Sequence, residues 1–355
     1  MMKRFRIRAR SNVDAQPPEL DMMAEFGAAL ATQLLDLEGQ YILLTAPLEP
    51  DEAATIDVCR HFEALAPQVE QVFGTRSRES WLCRVLALES QSKEYEALIE
   101  RMISFIEPMR HDLGDSDPLV HLALYMRCRF AGDLEGSLEW GTLLLVDRQR
   151  TRPRSHASVT LLKMELATFH AMAGNVGPAT TLLMGVHEDL NRNPQQSSAT
   201  GVAMQANLAS LWLLAGNPLR GLVLALSLLT SPDTLSHFSK EDLLILRGVY
   251  VEGLAKYGLL ELADLESTML LLDGKEVLGP GSLGVSELRF HLACIFALHR
   301  HEDQSLARLR SSFQELRVAA VHAYGEGSPQ LEYMETTYAR VLREARDSKA
   351  RAREG

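Results

Sequence analysis

Ala131-Gly132-Asp133, Ala173-Gly174-Asn175, Ala215-Gly216-Asn217 and Tyr257-Gly258-Leu259 decide how this chain folds, because their glycines follow one another at intervals of 42 residues. A residue that tolerates positive φ, followed in three of these strings by Asp or Asn, suits a tight turn that ends one helix and begins the next. The surroundings repeat with the turns. Five residues beyond the glycines stand Ser137, Ala179, Gly221 and Ala263, and one period further Ser305, where Arg300 replaces the glycine. All are small, which lets the second helix of a pair lie close against the first. Before the turn, Leu166-Ala167-x-x-His170, Leu208-Ala209-x-x-Trp212 and Leu292-Ala293-x-x-Phe296 set a large, a small and a ring residue at helical spacing.

Working outward from these strings, the pattern predicts helix pairs at 117–131/134–149, 156–173/177–192, 198–215/218–230, 240–257/260–273 and 284–299/303–322. Upstream, Ser80-Trp81-Leu82 to Ser92 and then Tyr95-Glu96-Ala97-Leu98 read as a degenerate earlier hairpin, preceded by helices near 19–37 and 51–72 that Pro47 and Pro50 separate. After Gly325-Glu326-Gly327, a helix over 329–347 with alternating charge is placed to cap the last pair. The expected division is a disordered basic segment 1–16, an N-terminal helical region 17–115, an array of hairpins over 116–323, and a capping helix with its tail over 324–355.

Composition agrees with an all-α chain: 46% of residues are hydrophobic, only 6% aromatic, and Leu and Ala dominate over β-branched types. The net charge of −11 disfavours a nucleic-acid partner, since phosphate contacts need clustered Lys and Arg. Three basic islands interrupt this acidity, at 3–10, 148–154 and 349–353, and each reads as a solvated tail or linker. Cys59, Cys83, Cys128 and Cys294 lack C-x-x-C spacing, which fits buried free thiols in a reducing compartment. No apolar run approaches the roughly 18 residues of a membrane span. The cytoplasm is the expected location, with no membrane partner.

The Leu-Ala pair, the ring at the next turn, the Gly-Asp/Asn corner and the small residue on the second helix resemble the tetratricopeptide repeat. The clearest copies are LATFHAMAGNVGPATTLLMGV and NLASLWLLAGNPLRGLVLALSLL, with FAGDLEGSLEWGTLLL a half-match. The usual period is about 34 residues, so the longer spacing is similar to the long repeats of kinesin light chains and of sensor domains in large bacterial transcription activators. The resemblance implies a right-handed α-solenoid of antiparallel helical hairpins, and it covers 116–323. HEAT and armadillo repeats have similar periods.

In such an array the first helix of each pair lines a concave groove suited to a peptide segment or a helix of another protein. Projected onto that face are Met126, Arg129, Glu165, Thr168, Ala206, Asn207, Ser210, Gly248, Glu252, Lys256, Phe290 and His291. Asn207 stands out, because an amide pairs with both N–H and C=O of an extended backbone; the resemblance adds that peptide-binding members use asparagines there. Glu252 and Lys256 also form an i,i+4 pair in the stabilising order. Trp81, Trp140, Trp212 and Phe296 read as packing residues.

Catalytic patterns are missing from the sequence. There is no G-x-x-x-x-G-K-[ST] loop, H-E-x-x-H helix or G-x-S-x-G elbow. His299-Arg300-His301-Glu302-Asp303 falls at a turn where i,i+2 side chains diverge, so no metal site is expected. Gly279-Pro280-Gly281-Ser282-Leu283-Gly284 has no adjacent lysine and reads as a linker. The sequence therefore predicts a non-enzymatic protein-protein scaffold or regulator without cofactor. A sensor subunit of a bacterial transcription or signalling system, and a chaperone for secreted substrates, are the alternative readings. It leaves the oligomeric state open.

Overall fold

The structure is a computed structural model that describes residues 26–34, 37, 52–91, 95–154, 156–192, 199–300 and 302–354. Among these residues the regular elements are all α-helices, with no strand. The basic segment 3–10, and the stretch 1–16 expected to be disordered, lie outside them. So do Pro47 and Pro50, and the start of the helix expected at 19–37, of which α1 (26–34) is described.

The described residues form two compact units that divide between Ala131 and Gly132. This boundary falls inside the first of the five expected hairpins. Unit one holds α2 (Glu52–Phe73), α3 (Arg78–Gln91), α4 (Tyr95–Leu113) and α5 (Pro118–Phe130), each packed on the next, with α3 also against α5. Phe62, Leu88, Met102 and Met109 are fully buried there. The stretch expected to hold a degenerate hairpin around Trp81 contains α3 and α4, which pack on each other.

Unit two begins with α6 (Leu134–Thr151), α7 (Ala157–Met172), α8 (Val176–Asn191), α9 (Ala199–Leu214) and α10 (Pro218–Thr230). It continues with the short α11 (Pro232–Leu235), α12 (Lys240–Tyr257), α13 (Leu260–Leu278), α14 (Leu283–Arg300), α15 (Asp303–Tyr324) and α16 (Pro329–Glu354). Its neighbour relations are regular. The first helices α7, α9, α12 and α14 each pack on their own second helix, α8, α10, α13 and α15, and on the first helix of the next pair. On α14, the helix α16 takes that last place.

The corners form as the glycines require. Gly132, Gly174, Gly216 and Gly258 have φ of 67°, 75°, 75° and 94°, a region costly for residues with a Cβ. At three of them the following N–H donates back across the corner, Asn175 to the His170 carbonyl, Asn217 to Trp212 and Leu259 to Leu254, each at 2.8 Å. This is the Schellman closure of a helix end. The polar residue after the glycine is less uniform than its sequence suggests. Asp133 caps α6 by accepting from the Gly136 N–H at 2.9 Å, whereas Asn217 instead donates to the Thr180 hydroxyl and the Ala215 carbonyl.

The small residues after the corners are buried in every copy: Ser137, Ala179, Gly221, Ala263 and Ser305. At Gly221 the reason is explicit. A Cβ there would stand 2.7 Å from the Ala209 carbonyl oxygen and 2.6 Å from a Leu213 methyl, both on α9. Trp212 and Phe296 are each 2% exposed; Trp212 is buried among Met164, Leu183 and Leu208 of α7, α8 and α9, and Phe296 among Leu254, Leu270 and Leu292 of α12, α13 and α14, so each ring packs against the preceding pair.

Two further regularities are visible only in the fold. A Gly-x-x-Ser/Asp loop joins α2 to α3, α4 to α5, α13 to α14 and α15 to α16; Gly74, Gly114, Gly279 and Gly325 take positive φ. Ser77, Asp117, Ser282 and Ser328 then cap the following helix by accepting a backbone N–H. Cross-helix ion pairs also recur on the repeat frame. Lys163–Asp189, Arg247–Asp273 and Arg289–Glu315 each join a first helix to its second helix across 26 positions. The α9/α10 hairpin has Gln205 and Ser231 in that register and carries no such pair.

The C-terminus departs from expectation, since α16 runs to Glu354 rather than ending near 347. Tyr338 stacks on Phe313 at 4.0 Å, Val341 and Ala345 are buried, and Lys349 pairs with Asp303. These anchors carry the helix through the basic segment. At 148–154, Arg148 and Arg152 donate to the carbonyl and hydroxyl of Ser158, so two of these arginines fasten the start of α7 rather than simply facing solvent.

Candidate functional site

The first helices of unit two expose one stripe each, and the stripes occupy equivalent positions 42 residues apart. On α7 the stripe is Leu161, Glu165, Thr168 and Met172; on α9 it is Ala203, Asn207, Ser210 and Leu214. On α12 it is Ile245, Val249, Glu252 and Lys256, and on α14 Glu287, His291, Cys294 and Leu298. All are partly exposed or exposed except Val249, at 8%. The spacing i, i+4, i+7, i+11 keeps each set on one helix face. Since α7, α9, α12 and α14 pack successively, the stripes lie on neighbouring helices.

Of the residues expected on this face, Glu165, Thr168, Asn207, Ser210, Glu252, Lys256 and His291 fall within the stripes. Glu252 and Lys256 form their ion pair at 2.7 Å, and the Lys256 ammonium also donates to the Leu213 carbonyl at 3.2 Å, tying α12 to the end of α9. His291, on α14, is placed close enough to feel both charges. Burial lowers its pKa, the Glu252 carboxylate opposes this, and the Lys256 ammonium adds to it. Yet its side chain touches solvent.

Other expected positions do not belong to the stripes. Met126 is 3% exposed in the core of unit one, where α4 and α3 cover α5. Ala206 and Phe290 are buried in the packing between helices, and Gly248 is buried on α12 although a Cβ there would meet no atom within 4 Å. Arg129 is exposed on α5, which belongs to unit one. Conversely, the expected set omitted Glu287 and Cys294. Carrying Glu165 and Thr168 forward by the repeat period finds Val249 and Cys294 directly. Burial pushes the Cys294 thiol up to about 12, so at neutral pH it is a packing sulfur and no nucleophile.

Among the described residues no group of His, Cys, Asp and Glu has the arrangement to hold a metal ion. Among them, too, no helix is long and apolar enough to cross a membrane. A separate apolar recess of about 570 Å³ lies between α8 and α10, bordered by Met184, His187, Trp212 and Val223. No protein-family model and no curated protein matches the chain.

Proposed function

We propose that this chain is a tetratricopeptide-like α-solenoid scaffold that holds an extended peptide or a helix of a partner protein against the first-helix face of unit two. The observation that carries the reading is the recurrence of one partly exposed stripe at equivalent positions on α7, α9, α12 and α14. A row of neighbouring helices offering side chains in register suits a ligand with its own repeat, namely a polypeptide. The chemistry of the row fits that ligand. Asn207 and Ser210 offer donors and acceptors for main-chain groups, Glu165 and His291 offer polar contacts with side chains, and Leu161, Ile245 and Leu214 supply apolar contact between them. Lys256 contributes mainly by fixing α12 to α9. No catalytic role is assigned to any residue.

A photo-crosslinking amino acid at Ser210, compared with one at exposed Thr230 on α10, tests the reading. The first is expected to capture a discrete partner that the second does not. Asn207→Ala and Glu165→Lys are each expected to weaken binding of the captured partner about tenfold, the scale of about 1.4 kcal/mol, with an unchanged melting curve. A partner bound equally well by both variants would refute the assignment.

A further inference from the structure

Helix α13 carries a longer exposed apolar row than the second helices α8, α10 and α15. Leu262, Leu265, Met269 and Leu272 are 40%, 61%, 47% and 55% exposed and form one uninterrupted apolar row. The equivalent row on α15 is Gln304, Ala307, Ser311 and Gln314, all exposed and without a large apolar residue. On α10 the equivalent positions hold Arg220, Val223, Ser227 and Thr230, and the exposed apolar side chains are the three Leu219, Val223 and Leu226. Ala263, Ser267, Leu270 and Gly274 already face inward and are buried, so the outward row is surplus to the packing of the hairpin. Isolated apolar side chains on a surface are ordinary, whereas a contiguous row marks an interaction surface.

We propose that this row is a homodimer seam, on which α13 of a second copy lies antiparallel. The spacings along the row are three, four and three, the a/d pattern of a two-helix seam. That order reads the same in both directions, as an isologous two-fold contact demands. With the axis near position 267, Leu262 meets Leu272 of the second copy and Leu265 meets Met269 of the second copy. The same axis brings Glu261 opposite Lys275 of the second copy, twice over by symmetry, and both residues are exposed. Thr268 meets its own equivalent. The flanking acids Glu266 and Asp273, which would face like charge or apolar surface, are already paired with Arg247 of the same chain. Apolar order and charge thus select the same partner and the same direction. A seam of one helix covers less than the ~800 Å² per partner of a standard interface, so the dimer is expected to be weak and to dissociate on dilution.

Sedimentation velocity of the full chain across the micromolar range tests this. Monomer and dimer in concentration-dependent exchange are expected. Leu265→Glu places a charge at an exposed site, keeps the helical circular dichroism and melting curve, and is expected to leave monomer only. Glu261→Lys and Lys275→Glu, each alone, are expected to weaken dimerisation several-fold, and the double swap to restore it. A wild-type chain that stays monomeric throughout, a dimer indifferent to Leu265→Glu, or single charge variants that the double swap fails to rescue would each overturn the proposal. None of these outcomes bears on the first-helix face, because the seam lies on a second helix.

Discussion

Gly221→Ala is the sharpest test of how the hairpins are built, because local preference and packing pull it in opposite directions. In an unconstrained helix the change stabilises by about 1 kcal/mol, the difference in helix propensity between Gly and Ala. In α10 the new methyl meets the Ala209 carbonyl oxygen at 2.7 Å and the Leu213 side chain at 2.6 and 2.9 Å, well inside the roughly 3.5–4.0 Å of favourable contact. Leu213 is itself 2% exposed, and the carbonyl moves only if α9 moves. Overpacking of this kind costs about 1–3 kcal/mol, and a backbone obstacle places it in the upper part of that range. The expected net loss is therefore about 1–2 kcal/mol. Gly248→Ala is the control. It lies inside α12, and a Cβ there meets no atom within 4 Å, so the propensity gain of about 1 kcal/mol should appear undiminished. Urea titrations followed by far-UV circular dichroism compare the two variants with the parent. Gly221→Ala as stable as the parent would show that α9 and α10 do not approach as closely as the structure places them.

Lys163→Met strands Asp189, 6% exposed, without its cation, at an expected cost of about 3–5 kcal/mol. Lys163→Met with Asp189→Leu should recover most of it, and a single variant of near-parental stability in the same titration would mean that the pair is solvated. Burial lowers the pKa of both His170, whose Nδ1 is buried without a hydrogen-bond partner, and His291. The unfolded chain takes up these protons near pH 6.5 and the folded chain only at lower pH, so between those points the unfolded state binds more protons. Stability from these groups is complete above about pH 6.5 and falls as the pH drops through the window below it. Melting temperatures recorded along a pH series should decline more gently for His170→Gln/His291→Gln than for the parent, and parallel curves would refute the proton linkage assigned to these two rings.

The amino-acid sequence by itself determined the parts of this fold that depend on few neighbours. Corner glycines, the small residues beyond them and the capping Asp133 act within one turn or one hairpin, and the expected helix limits fall within a few residues of those observed in the array. Even so, the ion pairs at Lys163, Arg247 and Arg289 escaped notice, because partners 26 residues apart are joined only once two helices lie antiparallel. Which side of each helix stays uncovered depends on long-range packing. Met126 occupies the same register as Ser210, yet α5 is enclosed and α9 is not. On α13, Leu262, Leu265, Met269 and Leu272 have the spacing of a core stripe as fully as Ala263, Ser267, Leu270 and Gly274 do. Helical periodicity marks the faces of a helix, but the position of its neighbours, set by the tertiary fold, selects the one that meets water.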